Sequence, residues 1–108
     1  MKRVFREDIA LGSDLRLIRI LLKREYEHEY PMLLKWAVQV IYSDGGTWVM
    51  LCRIDNYPHE GYARPHIHEY GKDGVKACNL DFDDAKSEIK RIAQQVLRDR
   101  FNDIRTLH

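Results

Sequence analysis

The stretch LKWAVQVIYSDGGTWVMLCRI, residues 34–54, decides the fold. Both halves of it are rich in β-branched and aromatic residues, which favour strands. Between the halves, Asp44, Gly45 and Gly46 supply the positive φ angles that a tight hairpin turn needs. The stretch therefore predicts an antiparallel β-hairpin.

Each predicted strand of this hairpin has one apolar face, because side chains alternate between the two faces of a strand. The alternate apolar positions are Trp36, Val38, Val40 and Tyr42 in the first strand, and Trp48, Met50, Cys52 and Ile54 in the second. A sheet with one strongly apolar face needs a covering layer.

The C-terminal segment predicts that layer. Its apolar residues recur three or four positions apart, which is the spacing of one helix face. They are Ala85, Ile89, Ile92, Ala93, Val96, Leu97, Phe101 and Ile104. Asp81, Asp83 and Asp84 each offer an oxygen that could cap the helix N-terminus, and the pattern does not choose among them.

Three further segments complete the predicted sheet. Residues 15–30 follow neither period cleanly, and we favour a strand paired with the hairpin over a helix, ended by Pro31. Short strands are predicted around 67–70 and 75–78, joined by the turn at 71–74. The predicted fold class is α+β: an antiparallel β-sheet of about four or five strands, covered on one face by a C-terminal amphipathic helix, in a single domain over residues 1–108.

Composition limits the classes of partner. The chain has 18 basic and 17 acidic residues, so its net charge of +1 produces no overall attraction to nucleic acid or to an anionic membrane. No apolar run approaches the roughly 20 residues that span a bilayer, and residues 1–8 show no signal-peptide pattern. We expect a cytoplasmic protein without a membrane partner.

The residues that could carry chemistry lie in DNYPHEGYARPHIH, residues 55–68, which hold three of the five histidines. On an extended strand His66 and His68 point to the same side. Two imidazoles can accept and donate protons near neutral pH, so we predict this pair as catalytic, with Asp55 orienting one ring. The alternative is a His-x-His that only forms a solvated strand face.

Three neighbouring residues are predicted to bind the substrate. Arg64 could neutralise a phosphate, and His59 could approach the histidine pair from a loop. Asn56 could donate to an oxyanion or hold the turn. This acid–base chemistry needs no cofactor.

A metal centre is the alternative use of the same histidines. Zinc and non-haem iron sites combine histidine and carboxylate ligands with an open coordination position. One divalent metal ion would then be held by His59, His66 and His68, or by two of these histidines with Asp55 or Glu69.

The order of elements over residues 34–101 resembles the TumE-like family of small prokaryotic toxins. The resemblance rests on Asp-Asn-x-Pro-His at 55–59 and Pro-His-x-His at 65–68. The family's doubled histidines are replaced here by His59 followed by Glu60, and by the separated His66 and His68. The resemblance implies the toxin of a toxin–antitoxin pair, inactive when bound to a cognate DNA-binding antitoxin.

The leading functional hypothesis is therefore a toxin that acts as a metal-independent, histidine-dependent ribonuclease, with RNA as its substrate. Two alternatives remain: a small metal-binding enzyme that uses the same histidines, and a non-catalytic interaction module that binds a partner or forms a homodimer through its sheet.

Overall fold

The computed structural model describes residues 1–58 and 64–108. Its elements are β1 (Lys2–Gly12), β2 (Leu15–Lys23), a 3₁₀ turn (Glu27–Glu29), β3 (Leu34–Asp44), β4 (Thr47–Asp55), β5 (His66–Glu69), β6 (Lys76–Ala77) and α1 (Phe82–Phe101). In these residues six strands form one sheet in the order β1 to β6, and all neighbouring strands are antiparallel. The helix α1 packs against β3 and β4.

This architecture confirms the predicted α+β class, with six strands instead of four or five. The strand count differs mainly because β1, KRVFREDIALG, was not predicted. Its charged residues conceal the alternation that marks a strand. The register explains how they are accommodated, because Glu7 lies opposite Arg19 of β2 and accepts from its Nε at 2.8 Å.

The predicted strand within residues 15–30 is correct only for its first part. β2 pairs with β3 along its whole length, but the chain leaves the sheet after Lys23. The carboxylate of Glu29 accepts the backbone N–H groups of Glu25 and Tyr26, both at 2.8 Å. These bonds draw the segment into a 3₁₀ turn, so the prediction that the strand continues as far as Pro31 is wrong beyond Lys23.

The second strand of the hairpin contains a β-bulge that the sequence pattern did not reveal. Val40 pairs with Cys52 and Ile41 with Met50, so Leu51 is an extra residue on β4. Leu51 and Cys52 are both fully buried, whereas Met50 is 36% exposed. Residues before the bulge therefore face the opposite side from the one that regular alternation predicts. The prediction that Trp48 and Met50 share the buried face of Cys52 is wrong.

The helix begins and ends at caps of known type. Asp81 is the N-cap, and its Oδ1 accepts the N–H of Asp84 at 2.8 Å. At the other end Asn102 adopts the left-handed conformation, with φ of 54°, and terminates the helix. The helix therefore stops before Ile104, which is 82% exposed, and the predicted extension of the helix to this residue is wrong.

The core lies between α1 and one face of β2, β3 and β4. Its buried members include Leu15, Leu17, Trp36, Val38, Val40, Leu51, Cys52, Ile54, Ala85, Ile89, Ile92, Ala93, Val96 and Leu97. We call the other side of the sheet, turned away from α1, the open face. Nowhere in the described residues does a helix have the length and apolarity needed to cross a membrane.

Ile89 tests the contribution of this core. It is fully buried, and we expect Ile89→Ala to lower the free energy of unfolding in urea by about 2–5 kcal/mol, because it removes buried methylene groups and leaves a cavity. The same truncation at the exposed Ile104 is the control, with an expected change within about 0.5 kcal/mol. Equal losses in the two variants would contradict the placement of the core.

Candidate functional site

The site lies on the open face, where β4 meets β5. Ile54 and Ile67 are cross-strand partners on the side of the core. Since side chains alternate along each strand, their neighbours Asp55, His66 and His68 project from the other side. The register places Asp55 directly opposite His66.

Asp55 is the centre of the site. It is 1% exposed, and each of its carboxylate oxygens accepts a strong hydrogen bond. The Nε of Arg53 donates to Oδ2 at 2.7 Å, and the backbone N–H of Tyr57 donates to Oδ1 at 2.8 Å. The second bond makes residues 55–57 an Asx turn, which ends β4. A guanidinium and an amide dipole thus compensate the buried negative charge.

His66 is held from both ends of its ring. Its Nδ1 lies 2.8 Å from the carbonyl oxygen of Arg64, and its Nε2 lies 3.1 Å from Oδ1 of Asp55. A carbonyl oxygen only accepts, so Nδ1 carries a proton. If Nε2 is also protonated, the ring donates to both partners. If Nε2 carries no proton, its lone pair faces a carboxylate oxygen. Either the carboxyl group of Asp55 then carries the proton, or a cation lies between the two atoms.

His68 approaches the same carboxylate from the next position on the open face. Its Nε2 lies 3.5 Å from Oδ2 of Asp55, and its ring meets that of His66 edge to face with centroids 4.8 Å apart. The side chain of His68 is 32% exposed, against 7% for His66. Solvent therefore reaches His68 far more readily than His66.

The three side chains line an open cavity of about 330 Å³. Its rim is aromatic and positively charged. The ring of Tyr57 lies between two cations, with Lys35 Nζ 4.4 Å and Arg53 Cζ 4.6 Å from its centroid. Such a rim favours an anionic ligand next to the histidines.

The same group could hold a metal ion. One ligand atom from each of Asp55, His66 and His68 lies within 4.8 Å of the other two. Two histidines and one carboxylate form the ligand set of non-haem iron sites and of some catalytic zinc sites. The bond from Nδ1 of His66 to a backbone carbonyl is also the usual second contact of a metal-binding histidine. Arg53 disfavours metal binding, because its guanidinium already pairs with the carboxylate of Asp55 and would repel a cation there.

Not all of the predicted site residues lie in this cavity. Asp55, His66 and His68 come together as the sequence predicts, and Arg64 contributes its carbonyl oxygen to His66. His59 lies outside the described residues. Glu69, an alternative metal ligand in the sequence analysis, accepts from Lys72 Nζ at 3.0 Å and does not belong to the candidate metal group.

Asn56 turns toward β3 instead of toward the cavity. Its Oδ1 accepts the N–H of Trp36 at 2.8 Å, and its Nδ2 donates to the carbonyl of Leu34 at 2.9 Å. The Asn56 side chain, which is 2% exposed, therefore continues the β3–β4 pairing beyond the last strand residue. Of the two roles predicted for Asn56, these contacts favour holding the turn.

Arg53 and Tyr57 are the site residues that sequence reasoning missed. Arg53 lies two residues before Asp55, so the alternation of a strand already places both on one face. The approach of Lys35 to Tyr57 carried no sequence signal, because it joins residues on different elements.

No family model, curated protein or solved structure matches the chain. The resemblance to TumE-like toxins therefore stays a prediction from residues 55–68. The functional proposal rests on the geometry of the described residues.

Tyr30 links the site to the segment before β3. Its hydroxyl donates to the carbonyl oxygen of Asn56. Burial raises the pKa of Tyr30 from 10.0 to about 12, and the negative charge of Asp55 adds to this effect. The folded protein thus favours the neutral phenol more than the unfolded chain does.

This shift predicts how stability changes at high pH. The contribution of Tyr30 is fully present below pH 10 and is lost as the pH rises toward about 12, because the phenol keeps its proton longer in the folded state. We expect the free energy of unfolding to fall less between pH 10 and 12 in Tyr30→Phe than in the parent protein. Tyr26→Phe is the control, since Tyr26 is exposed and should leave the parent's profile unchanged. Parallel profiles for the parent and Tyr30→Phe would contradict the assignment.

Proposed function

We propose that this protein cleaves RNA by histidine acid–base catalysis, as the toxin of a prokaryotic toxin–antitoxin pair. One observation carries the catalytic part: Nε2 of His66 and Nε2 of His68 lie 3.1 and 3.5 Å from the two oxygens of a single buried carboxylate. The toxin role follows from the resemblance of residues 55–68 to that family. The cytoplasm is the compartment that this role implies.

The reaction that such a pair suits is internal transesterification. One neutral imidazole takes the proton of a ribose 2′-hydroxyl, and the 2′-oxygen attacks the adjacent phosphorus. The second, protonated imidazole gives its proton to the departing 5′-oxygen. The products are a 2′,3′-cyclic phosphate and a 5′-hydroxyl, and the two histidines exchange protonation states.

The different exposure of the two histidines suggests which part each plays in the cleavage. His68, the more exposed ring, is the group that meets the substrate first. His66 is held between Asp55 and the carbonyl of Arg64. To act as the acid, its Nε2–H must turn from Asp55 to the leaving oxygen. Asp55 acts through the histidines as a positioning residue. Lys35 and Arg53 supply positive charge at the rim, where a phosphate would lie.

A metal-dependent enzyme is the second candidate, and the contact from Nδ1 of His66 to the Arg64 carbonyl favours it. Asp55, His66 and His68 would hold one divalent zinc or iron ion. That ion would supply a Lewis acid or an activated water in the cavity. The two candidates differ in whether activity depends on a metal.

Growth of a bacterial host tests the toxin role. Induced expression of the parent protein should arrest growth, and His66→Ala/His68→Ala should not, because the acid–base pair is gone. The matched control is His28→Ala/His108→Ala, which removes two histidines that do not line the cavity and should arrest growth like the parent. Normal growth with the parent protein, or arrest with all three proteins, would refute the proposal.

Cleavage of a defined RNA in the presence of a chelator separates the two mechanisms. We expect the purified protein to leave 2′,3′-cyclic phosphate ends, and we expect EDTA not to change the rate. His68→Ala should lower the rate by about 10²–10⁴-fold, the usual contribution of a general acid or base. Activity that disappears in EDTA, with one zinc or iron per chain that Asp55→Asn does not retain, would establish the metal-dependent alternative instead.

A further inference from the structure

The open face extends from the histidines across the whole sheet. Cross-strand pairing aligns Arg6 with Ile20, Ile20 with Ala37, Ala37 with Asp55, and Asp55 with His66. Partners in an antiparallel pair project from the same side. A continuous row of side chains thus runs from β1 at one edge to the site on β4 and β5.

Positive charge is concentrated on this face, although the whole chain is nearly neutral. Among the described residues, the register places five basic side chains here: Arg3, Arg6, Arg16, Lys35 and Arg53. Only two carboxylates, Asp8 and Asp55, accompany them on the described part of the face. The other 13 basic and 15 acidic residues of the sequence leave the remainder of the chain slightly acidic.

The acidic residues of the open face do not cancel this surplus. Asp8 accepts from Arg16 Nε at 2.8 Å and lies 3.9 Å from an Arg6 nitrogen, so two cations share one carboxylate. Both arginines keep at least 40% of their side chains exposed. Their remaining N–H groups are therefore accessible to a phosphate.

Aromatic and apolar side chains lie among the charges. Trp48 is 47% exposed, and its cross-strand partner Ser43 leaves the indole uncovered from that side. Tyr57 lies between Lys35 and Arg53 at the site. Half-buried Ile18, Ile20 and Ile41 cover the surface between the two aromatic rings and the edge strand. Cations beside an exposed aromatic ring are what a single-stranded nucleic acid binds, since phosphates pair with the cations and a base can stack on the exposed ring of Trp48.

The dimensions also suit a single strand. Adjacent strands of a sheet lie about 4.8 Å apart, so β1 and β4 are separated by about 14 Å. A chain of a few nucleotides crossing the strands would span from Arg6 and Arg16 to His68. A duplex presents its bases stacked inside the helix, where Trp48 would not reach them.

From these observations we propose that the open face binds single-stranded RNA, with the phosphates on Arg3, Arg6 and Arg16 and the cleaved linkage at His66 and His68. This inference rests on the proposed function and extends it, since it names the substrate's form and its path. The nearly neutral net charge of the chain had counted against RNA binding. The surplus of basic side chains on the open face answers that objection.

Binding of a 2′-O-methyl RNA oligonucleotide tests the surface separately from catalysis, because this RNA lacks the 2′-hydroxyl that cleavage needs. The affinity of the parent protein is measured against salt and compared with that of Arg6→Gln/Arg16→Gln. We expect the variant to bind about tenfold more weakly at low salt, and the slope of log affinity against log salt to become shallower by about 1.4, or 0.7 for each lost phosphate contact.

The matched control is Lys90→Gln/Arg98→Gln, which removes the same charge from α1 on the other side of the sheet. It should bind within about twofold of the parent. Equal losses in the two variants would overturn the proposal, because total charge and not the open face would then govern binding. Equal affinity for duplex RNA, or no binding to any oligonucleotide, would overturn it as well.

Fluorescence gives a second readout of the path. The chain has two tryptophans, and Trp36 is buried, so quenching by bound RNA should come from Trp48 and disappear in Trp48→Phe. Quenching that persists in this variant would contradict the proposed path.

The outcomes for binding and for catalysis remain distinct. Binding on the open face without cleavage of unmodified RNA would refute the proposed function alone. Cleavage that is undiminished in Arg6→Gln/Arg16→Gln, together with parent-like affinity, would refute the proposed surface alone.

Discussion

A carboxylate removed from water must be compensated, and in this protein that carboxylate is Asp55. The desolvation of an ion costs several kcal/mol, so an uncompensated Asp55 would destabilise the fold. The guanidinium of Arg53, the N–H of Tyr57 and the two imidazoles all converge on it. One electrostatic requirement thus maintains the end of β4, the register of β5 and the orientation of the histidines. The same arrangement would supply the preorganisation that the proposed acid–base catalysis needs, since it holds the two imidazoles in place.

The sheet can carry Asp55 and its partners on its open face because only one of its two faces is needed for the core. The helix α1 covers one face and forms the core, which leaves the other face to a mixture of charged, polar and half-buried apolar side chains. The bulge at Leu51 allows both functions in one strand. It buries Leu51 and Cys52 together, and it turns Met50 and Trp48 to the open face that also carries Arg53. If the strand alternated regularly through Leu51, with no bulge, the indole of Trp48 and the site would lie on opposite sides of the sheet.

Sequence patterns predicted the features that depend on neighbouring residues, and missed those that depend on contacts between distant segments. The hairpin, the helix and the shared side of His66 and His68 follow from periods of two and 3.6 residues, which neighbouring residues reveal. The strand β1 was missed because its charges find their partners on β2 and α1, as the bonds of Glu7 to Arg19 and to Lys86 show. The bulge leaves no mark in composition, since one inserted residue is as apolar as its neighbours. The role of Asn56 depends on backbone groups of β3 about 20 residues away, which no pattern around residue 56 contains.

Arg53 is the residue that bears most directly on the choice between acid–base and metal chemistry. Its guanidinium already balances the charge of Asp55, so the site as a whole is close to neutral when both imidazoles are neutral. A divalent ion would bring two further positive charges against an arginine on the same carboxylate. A phosphate has the opposite effect, because its negative charge is attracted to the same guanidinium. The charge of the site is therefore better matched to the anionic substrate of the proposed acid–base cleavage than to a divalent cation.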